Sequence, residues 1–278
     1  MQIFHTIGEL QTALRSHRQQ KIALVPTMGN LHAGHLQLVN IAKQHADLVV
    51  VSIFVNPTQF GVGEDFDSYP RTLDADCQAL MTVGADMVFA PSVEEMYPSY
   101  PPNVQVLSGD ITKILCGKSR PTHFDGVGLV VSKLFNIVRP DVAVFGKKDY
   151  QQLAIIRQLN DELNFGIQII GADIVRADDG LALSSRNQYL TADERAAAPA
   201  LNQTLNWLAS ELKVGKQFAD LFEQAQNRLT QAGFVLDYLQ LYNDRLQPIA
   251  PSDKKLVILA AAWLGKARLL DNIQVDLT

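Results

Sequence analysis

Ile22-Ala23-Leu24-Val25-Pro26-Thr27-Met28-Gly29-Asn30-Leu31-His32-Ala33-Gly34-His35 carries the reading of this chain. Its first four residues form a continuous apolar run, the kind that makes a strand buried on both faces. Leu36, Val39, Ile41 and Ala42 then fall at helical spacing. The stretch between is a strand-to-helix junction kept bare by Gly29 and Gly34. Glycines let backbone N–H groups approach an anion closely, and a helix N-terminus adds partial positive charge. His32 and His35, one turn apart, would face the same anion. The pattern predicts a site for nucleotide phosphates. Solvated or capping histidines, or two legs of a zinc site, are the other uses of such a pair. Zinc wants a third ligand, and the chain has neither His-Glu-x-x-His nor Cys-x-x-Cys.

With 278 residues, 47% hydrophobic and 19% charged, the chain can fill one large core and a second smaller one, so a two-domain enzyme is expected. A formal net charge of −5 gives no general basic footprint for nucleic acid, although a local basic pocket can still take a small anion. Cys77 and Cys116 are too few for a disulfide framework, and the N-terminus lacks a basic-then-apolar leader. The expected setting is cytoplasmic. No apolar run approaches the ~20 residues of a membrane span, so no membrane partner is expected.

Along the chain, Thr6-Ile7-Gly8-Glu9 has capping-box spacing and opens a helix to about residue 17, before a strand over 21–25 and a helix over 32–45. A β-rich run over 48–55 ends at Asn56-Pro57. A helix over 71–83 closed by Gly84, a strand over 86–90, a helix over 127–138, a strand over 142–145 followed by Gly146, a helix over 149–163 and a strand over 167–170 continue the alternation. Such alternation implies right-handed crossovers and a doubly wound parallel sheet, whose ligands bind beyond the carboxyl ends of the strands. Gly29, Asn56 and Gly146 all fall there. After about Ile174 the pattern changes. A second capping box at Thr191-Ala192-Asp193-Glu194 opens helices over 191–212 and 217–231, and β-rich segments over 235–242, 256–263 and 267–272 suggest an antiparallel sheet. The expected division is a Rossmann-like domain over 1–174 that binds nucleotide and substrate, and a smaller α+β domain over 175–278 that acts as a lid excluding water.

Six stretches, in order, are recognisable. They are Pro-Thr-Met-Gly-Asn-Leu-His-Ala-Gly-His from Pro26, Ser-Ile-Phe-Val-Asn-Pro-Thr-Gln-Phe from Ser52, Tyr-Pro-Arg-Thr from Tyr69, Arg-Pro-Thr-His-Phe-Asp-Gly-Val from Arg120, Phe-Gly-Lys-Lys-Asp-Tyr-Gln-Gln-Leu from Phe145 and Asp-Gly-Leu-Ala-Leu-Ser-Ser-Arg-Asn from Asp179. Together they resemble the pantoate–β-alanine ligase (pantothenate synthetase) family of the nucleotidyltransferase superfamily, over essentially the full length. The His-x-x-His segment is shared across that superfamily; Val-Asn-Pro-Thr-Gln-Phe and Lys-Asp-Tyr-Gln-Gln are more specific.

The resemblance implies that ATP and pantoate give an enzyme-bound pantoyl adenylate and pyrophosphate, and that β-alanine then attacks the acyl carbon to release pantothenate and AMP. Such chemistry brings anions together, so positioning and cationic stabilisation should dominate it. The resemblance implies that His32 and His35 meet the triphosphate, with His35 as proton donor, and that Met28, Gly29, Asn30, Leu31, Ala33 and Gly34 wrap the nucleotide. Lys148 matches the catalytic lysine, and Arg186 with Ser184 and Ser185 matches a triphosphate-binding turn. Gly146, Lys147, Asp149, Val175 and Leu183 complete the expected ATP site. Gln59 and Gln152 resemble the pair that holds pantoate, whose hydroxyls suit neutral amides; Val55 and Phe60 are apolar neighbours that suit its methyls. Magnesium is implied, with Asp76 a candidate ligand, although Asp74 and Asp76 equally suit a solvent-facing helix surface. The family usually has glutamate where this chain has Lys147. A homodimer is also implied. A nucleotidyltransferase that releases its adenylylated or cytidylylated product is the competing reading. A catalytically dead nucleotide-binding protein should have lost one of His32, His35, Lys148 or Arg186, and all four are present.

Overall fold

The computed structural model describes residues 1–61, 63–64 and 66–277. The chain forms two compact units, one made of Met1–Lys147 with Gln152–Asp173, the other of Lys148–Gln151 with Ile174–Thr278.

The first unit runs β1 (Gln2–Phe4), α1 (Ile7–Arg15), β2 (Ile22–Thr27), α2 (Ala33–His45), β3 (Leu48–Ile53), α3 (Leu73–Thr82), β4 (Met87–Phe89), α4 (Val93–Met96), α5 (Leu115–Ser119), α6 (His123–Val138), β5 (Val142–Gly146), α7 (Tyr150–Glu162, all but its first two residues) and β6 (Gln168–Ala172). The six strands form one sheet in the order β1-β4-β3-β2-β5-β6, parallel throughout. From β2 the chain builds outward through β3 to β4, then returns to lay β5 on the other side of β2, so the winding reverses between β2 and β5. In an open parallel sheet the crevice at such a reversal is where ligands bind. The predicted doubly wound sheet is therefore present. Strand β1 is an addition to it: three residues on the sheet edge show no period that sequence could reveal.

The sequence explains these elements. The Thr6–Glu9 capping box starts α1 as its spacing predicts. All six residues of β3 are buried, which suits a central strand covered on both faces. One face of the sheet packs Ala23, Val25, Val49, Val51, Val88, Val142 and Val144 against Leu38, Val39 and Ala42 of α2 and Cys77 and Leu80 of α3. Helix α6 begins four residues earlier than its apolar period suggests, after Thr122 turns the chain with a positive φ of 69°.

The second unit contains α8 (Ala192–Ala197), α9 (Ala200–Lys213), α10 (Phe218–Gln231) and an antiparallel sheet of β7 (Val235–Asn243), β8 (Lys255–Leu264) and β9 (Ala267–Asp276) in that order. The single helix expected over 191–212 is two, because Pro199 has no N–H to continue the hydrogen-bond ladder. Leu201, Leu205 and Leu208 of α9 and Leu221, Ala225 and Leu229 of α10 bury against Ile258, Ala260 and Ala262 of β8.

Candidate active site

The turn from β2 into α2 is built around two consecutive residues in the left-handed region, Gly29 at φ 82° and Asn30 at φ 51°. A side chain at residue 29 would be strained by this conformation, and its Cβ would lie 3.0 Å from the Asp76 carboxylate. That carboxylate is the counterpart of the turn. Asp76, buried on α3, accepts the N–H of Leu31 on Oδ1 (2.8 Å), and on Oδ2 the N–H of Asn30 (3.0 Å) and the hydroxyl of Thr72 (3.1 Å). The structure thus buries Asp76, in place of the solvated surface position considered from sequence, and gives it partners on the turn. Both its oxygens are spent on holding the backbone, and Asp74 alone of the two is exposed. Among the described residues no group of three His, Cys, Asp or Glu side chains is placed to hold a metal ion.

His32 is the N-cap of α2, and its Nδ1 accepts the N–H of Gly34 (3.1 Å). His35 Nδ1 accepts the N–H of His32 (3.3 Å), and the ring centroids are 4.1 Å apart. A backbone N–H can only donate, so both Nδ1 atoms are unprotonated acceptors. With Nδ1 accepting in this way, the proton of each neutral ring sits on Nε2.

Beyond β3, Asn56 is buried and organises the turn Pro57–Gln59. Its Oδ1 accepts the Thr58 N–H (3.3 Å), the Thr58 hydroxyl (2.9 Å) and the Tyr97 hydroxyl (2.8 Å). Its Nδ2 must then be the donor to Gln59 Oε1 (3.1 Å) and Gly126 O (3.2 Å). This fixes the Gln59 amide the other way round, with Nε2 lying 3.0 Å from Met28 Sδ in the β2–α2 turn. Burial pushes the Tyr97 phenol up to about 12, so it remains a hydrogen-bond donor at neutral pH. The backbone of Gln59 is held separately. Its carbonyl accepts His123 Nδ1–H (2.7 Å) and Arg120 Nη2–H (3.3 Å), while Arg120 Nη1 donates to His123 Nε2 (3.2 Å). Arg120 in turn forms a two-point pair with Glu64, at 2.7 and 2.6 Å, and this guanidinium holds the Glu64 carboxyl down to about 2. Phe60 packs edge-on against Phe66 and Tyr69.

Gly146 ends β5, and Lys147–Asp149 form a 3-10 turn into α7. Lys147 Nζ pairs with Asp173 (2.6 Å), and Gln152 lies half-buried in the first turn of α7. In the second unit, Lys148 Nζ lies 3.1 Å from its neighbour Asp149, and the Lys148 carbonyl accepts Asn272 Nδ2–H (3.0 Å). Val175 and Leu183 meet, since Val175 O accepts the Leu183 N–H (2.9 Å) and a bridge joins Arg176 to Ala182. Ser184 caps the following turn by accepting the Arg186 N–H on its Oγ (3.3 Å). The residues singled out from sequence therefore fall in two sets. Met28–His35, Gln59, Gly146, Lys147 and Gln152 belong to the first unit; Lys148, Asp149, Val175 and Leu183–Arg186 belong to the second.

Sequence reasoning missed Asn56, Asp76, Tyr97, Glu64, Arg120 and His123 as organisers. Asn-Pro-Thr-Gln and Arg-Pro-Thr-His stood out as motifs, but nothing in one chain says that their side chains converge on Gln59.

A parallel sheet whose winding reverses beside a glycine turn and two N–H-bearing imidazoles defines a nucleotide-handling α/β enzyme. The sequence pattern of pantoate-beta-alanine ligase matches residues 2–274. The chain is 63% identical over 276 residues to the pantothenate synthetase of Psychrobacter arcticus, covering 97% of this chain and 96% of that one. It is 56% identical over 274 residues to that of Acinetobacter baylyi, covering 98% of each. Among solved structures, the Thermus thermophilus pantothenate synthetase matches at a TM-score of 0.92 with 40% identity, over 98% of this chain and 99% of that one. A pantoate-beta-alanine ligase from Francisella tularensis, complexed with "Beta-gamma ATP and Beta-alanine", matches at 0.82 with 36% identity, over 98% and 97%. This chain belongs to the pantoate–β-alanine ligase family.

Proposed function

We propose that this chain joins pantoate to β-alanine through an enzyme-bound pantoyl adenylate. In the first step a pantoate carboxylate oxygen bonds to the α-phosphorus of ATP and the bond to pyrophosphate breaks. In the second the β-alanine amine bonds to the acyl carbon, AMP leaves with the C–O electron pair, and the amine gives up a proton. The observation that carries this reading is the pair of imidazoles whose Nδ1 atoms accept backbone N–H groups. They present Nε2–H donors of neutral rings, suited to charge that builds on phosphate oxygens as the α–β bond breaks. His35 and His32 take that role, and Met28–Gly34 wraps the nucleotide.

Lys148 neutralises the approach of carboxylate to phosphate with its compact charge, and Ser184, Ser185 and Arg186 take the triphosphate with two hydroxyls and a guanidinium fork. Gly146, Lys147, Asp149, Val175 and Leu183 serve adenosine, largely through backbone groups. Gln59 and Gln152 hold pantoate. The orientation forced on the Gln59 amide by Asn56 supports this, because it makes Nε2 the donor on the Met28 side. In this reading the 1–174 portion binds nucleotide and pantoate and the 175–278 portion acts as a lid. Magnesium fits here as an ion carried by the triphosphate, since Asp76 is committed to backbone groups and no other ligand cluster exists among the described residues. The family resemblance supports a homodimer, and the composition supports a cytoplasmic setting.

Pantoate-dependent exchange of pyrophosphate into ATP tests the proposal. Exchange should appear with pantoate as sole co-substrate, and AMP should accumulate only once β-alanine is added. A released adenylylated or cytidylylated product would favour the competing nucleotidyltransferase reading. His35→Ala and Lys148→Ala should each slow exchange by roughly 10²-fold or more, as expected on removing a transition-state donor. Near-wild-type exchange in both would remove the assignment.

A further inference from the structure

Asp271 and Asn272 are two adjacent polar residues, both buried, in a strand otherwise used for packing. Successive side chains of a strand point to opposite faces. Here each face is put to a different use. Asp271 accepts Arg176 Nη1–H (2.7 Å) and Nη2–H (2.8 Å) in a two-point pair, with Asn202 Nδ2–H (3.1 Å) as a further donor. Arg176 Nη1 also donates to Gly180 O (3.0 Å), so the pair ties the first arm of the hairpin that leads into Ser184, Ser185 and Arg186 to its turn. Asn272 donates from Nδ2 to the carbonyl of Lys148 (3.0 Å). Both residues are held in register by β8, Asp271 opposite Ala260 and Asn272 opposite Leu259.

An ion pair whose carboxylate is buried contributes little to stability, since desolvation offsets much of its attraction. It is a good device for fixing one geometry. Resting on the functional reading above, we propose that Asp271 and Asn272 are positioning residues, which hold the main chain of Lys148 and the Ser184–Arg186 turn at a set separation across one strand of the second unit. Asn272 acts through Lys148, and Asp271 acts through Arg176 on the hairpin. Neither touches a substrate.

The test is a double-mutant cycle read by pantoate-dependent ATP–pyrophosphate exchange on the full chain, with thermal unfolding measured alongside. Asn272→Ala should lower kcat for exchange roughly tenfold, in line with the cost of a small misplacement of a reacting group. In a Lys148→Ala background the same change should add less than about twofold, because the residue it acts through is gone. Asn272→Ser retains a donor and should recover part of the rate, whereas Asn272→Asp matches asparagine in shape but has no donor and should stay slow; a packing role predicts the reverse order. Asp271→Asn should raise KM for ATP more than it lowers kcat. Fully multiplicative effects of Asn272→Ala and Lys148→Ala, or wild-type exchange by a folded Asn272→Ala protein beside a slow Lys148→Ala protein, would overturn the inference. Wild-type exchange by Lys148→Ala would instead overturn the functional reading, and the inference with it.

Discussion

Gly126 of α6 approaches the backbone of Thr58 so closely that a Cβ on residue 126 would lie 2.1 Å from the Thr58 carbonyl oxygen and 2.7 Å from the Gln59 nitrogen. The contact is with main chain, which cannot swing aside as a flexible side chain does. A single methyl must push the Pro57–Gln59 turn off the helix and break the bond from Asn56 to the Gly126 carbonyl. Gly126→Ala is expected to cost about 1–3 kcal/mol in urea unfolding and to raise the KM for pantoate, measured by exchange, more than the KM for ATP. Equal changes in both would sever the link between this contact and Gln59.

Asp76→Asn keeps the shape of the clamp under the β2–α2 turn but turns one acceptor into an NH2 group facing a backbone N–H. Loss of an acceptor in a buried site costs about 1–3 kcal/mol. Exchange should fall roughly tenfold or more as Asn30 and Leu31 shift. A variant that is less stable yet exchanges normally would mean that the turn keeps its form without the carboxylate.

Glu64 makes stability depend on pH in a defined direction. Its carboxyl is lowered from 4.5 to about 2, chiefly by hydrogen bonding to Arg120, so the folded state prefers the charged form more than the unfolded state does. That contribution is present in full above the unfolded value, and is lost as pH falls from about 4.5 towards about 2. The stability difference between wild type and Glu64→Gln should be level across neutral pH and shrink through this window. A difference that stays constant down to the acid end would show that the Arg120 pair does not carry it.

Lys147 pairs with Asp173, an exposed residue just past the end of β6. Pairs in which one partner is this exposed contribute little. Lys147→Glu is expected to change exchange kcat by less than about threefold and stability by within roughly 1 kcal/mol. A large rise in KM for ATP on making this change would reveal an inward role for position 147.

Much of the fold was legible because buried parallel strands and capped helices leave local marks. The β2 and β3 runs, the Thr6 and Thr191 capping boxes and the three β-rich segments of the second unit are examples. What stayed hidden is non-local or has no period. Strand β1 exists because it pairs with β4, more than 80 residues away in sequence. Asp76 has the look of a helix-surface acid until its 45-residue return to Leu31 is seen. The imidazole pair was evident from spacing, but its protonation was not, since that follows from which backbone N–H reaches each Nδ1.

Because Lys148–Gln151 folds with the second unit while Lys147 and Gln152 on either side fold with the first, the polypeptide visits that unit twice. A gene cut at codon 174 would therefore not yield two self-sufficient halves. The carboxyl-terminal fragment would lack the backbone that Asn272 grips and the Tyr150 hydroxyl that reaches Asp244. Any attempt to split this enzyme for complementation, or to graft its last hundred residues elsewhere, has to carry those four residues along.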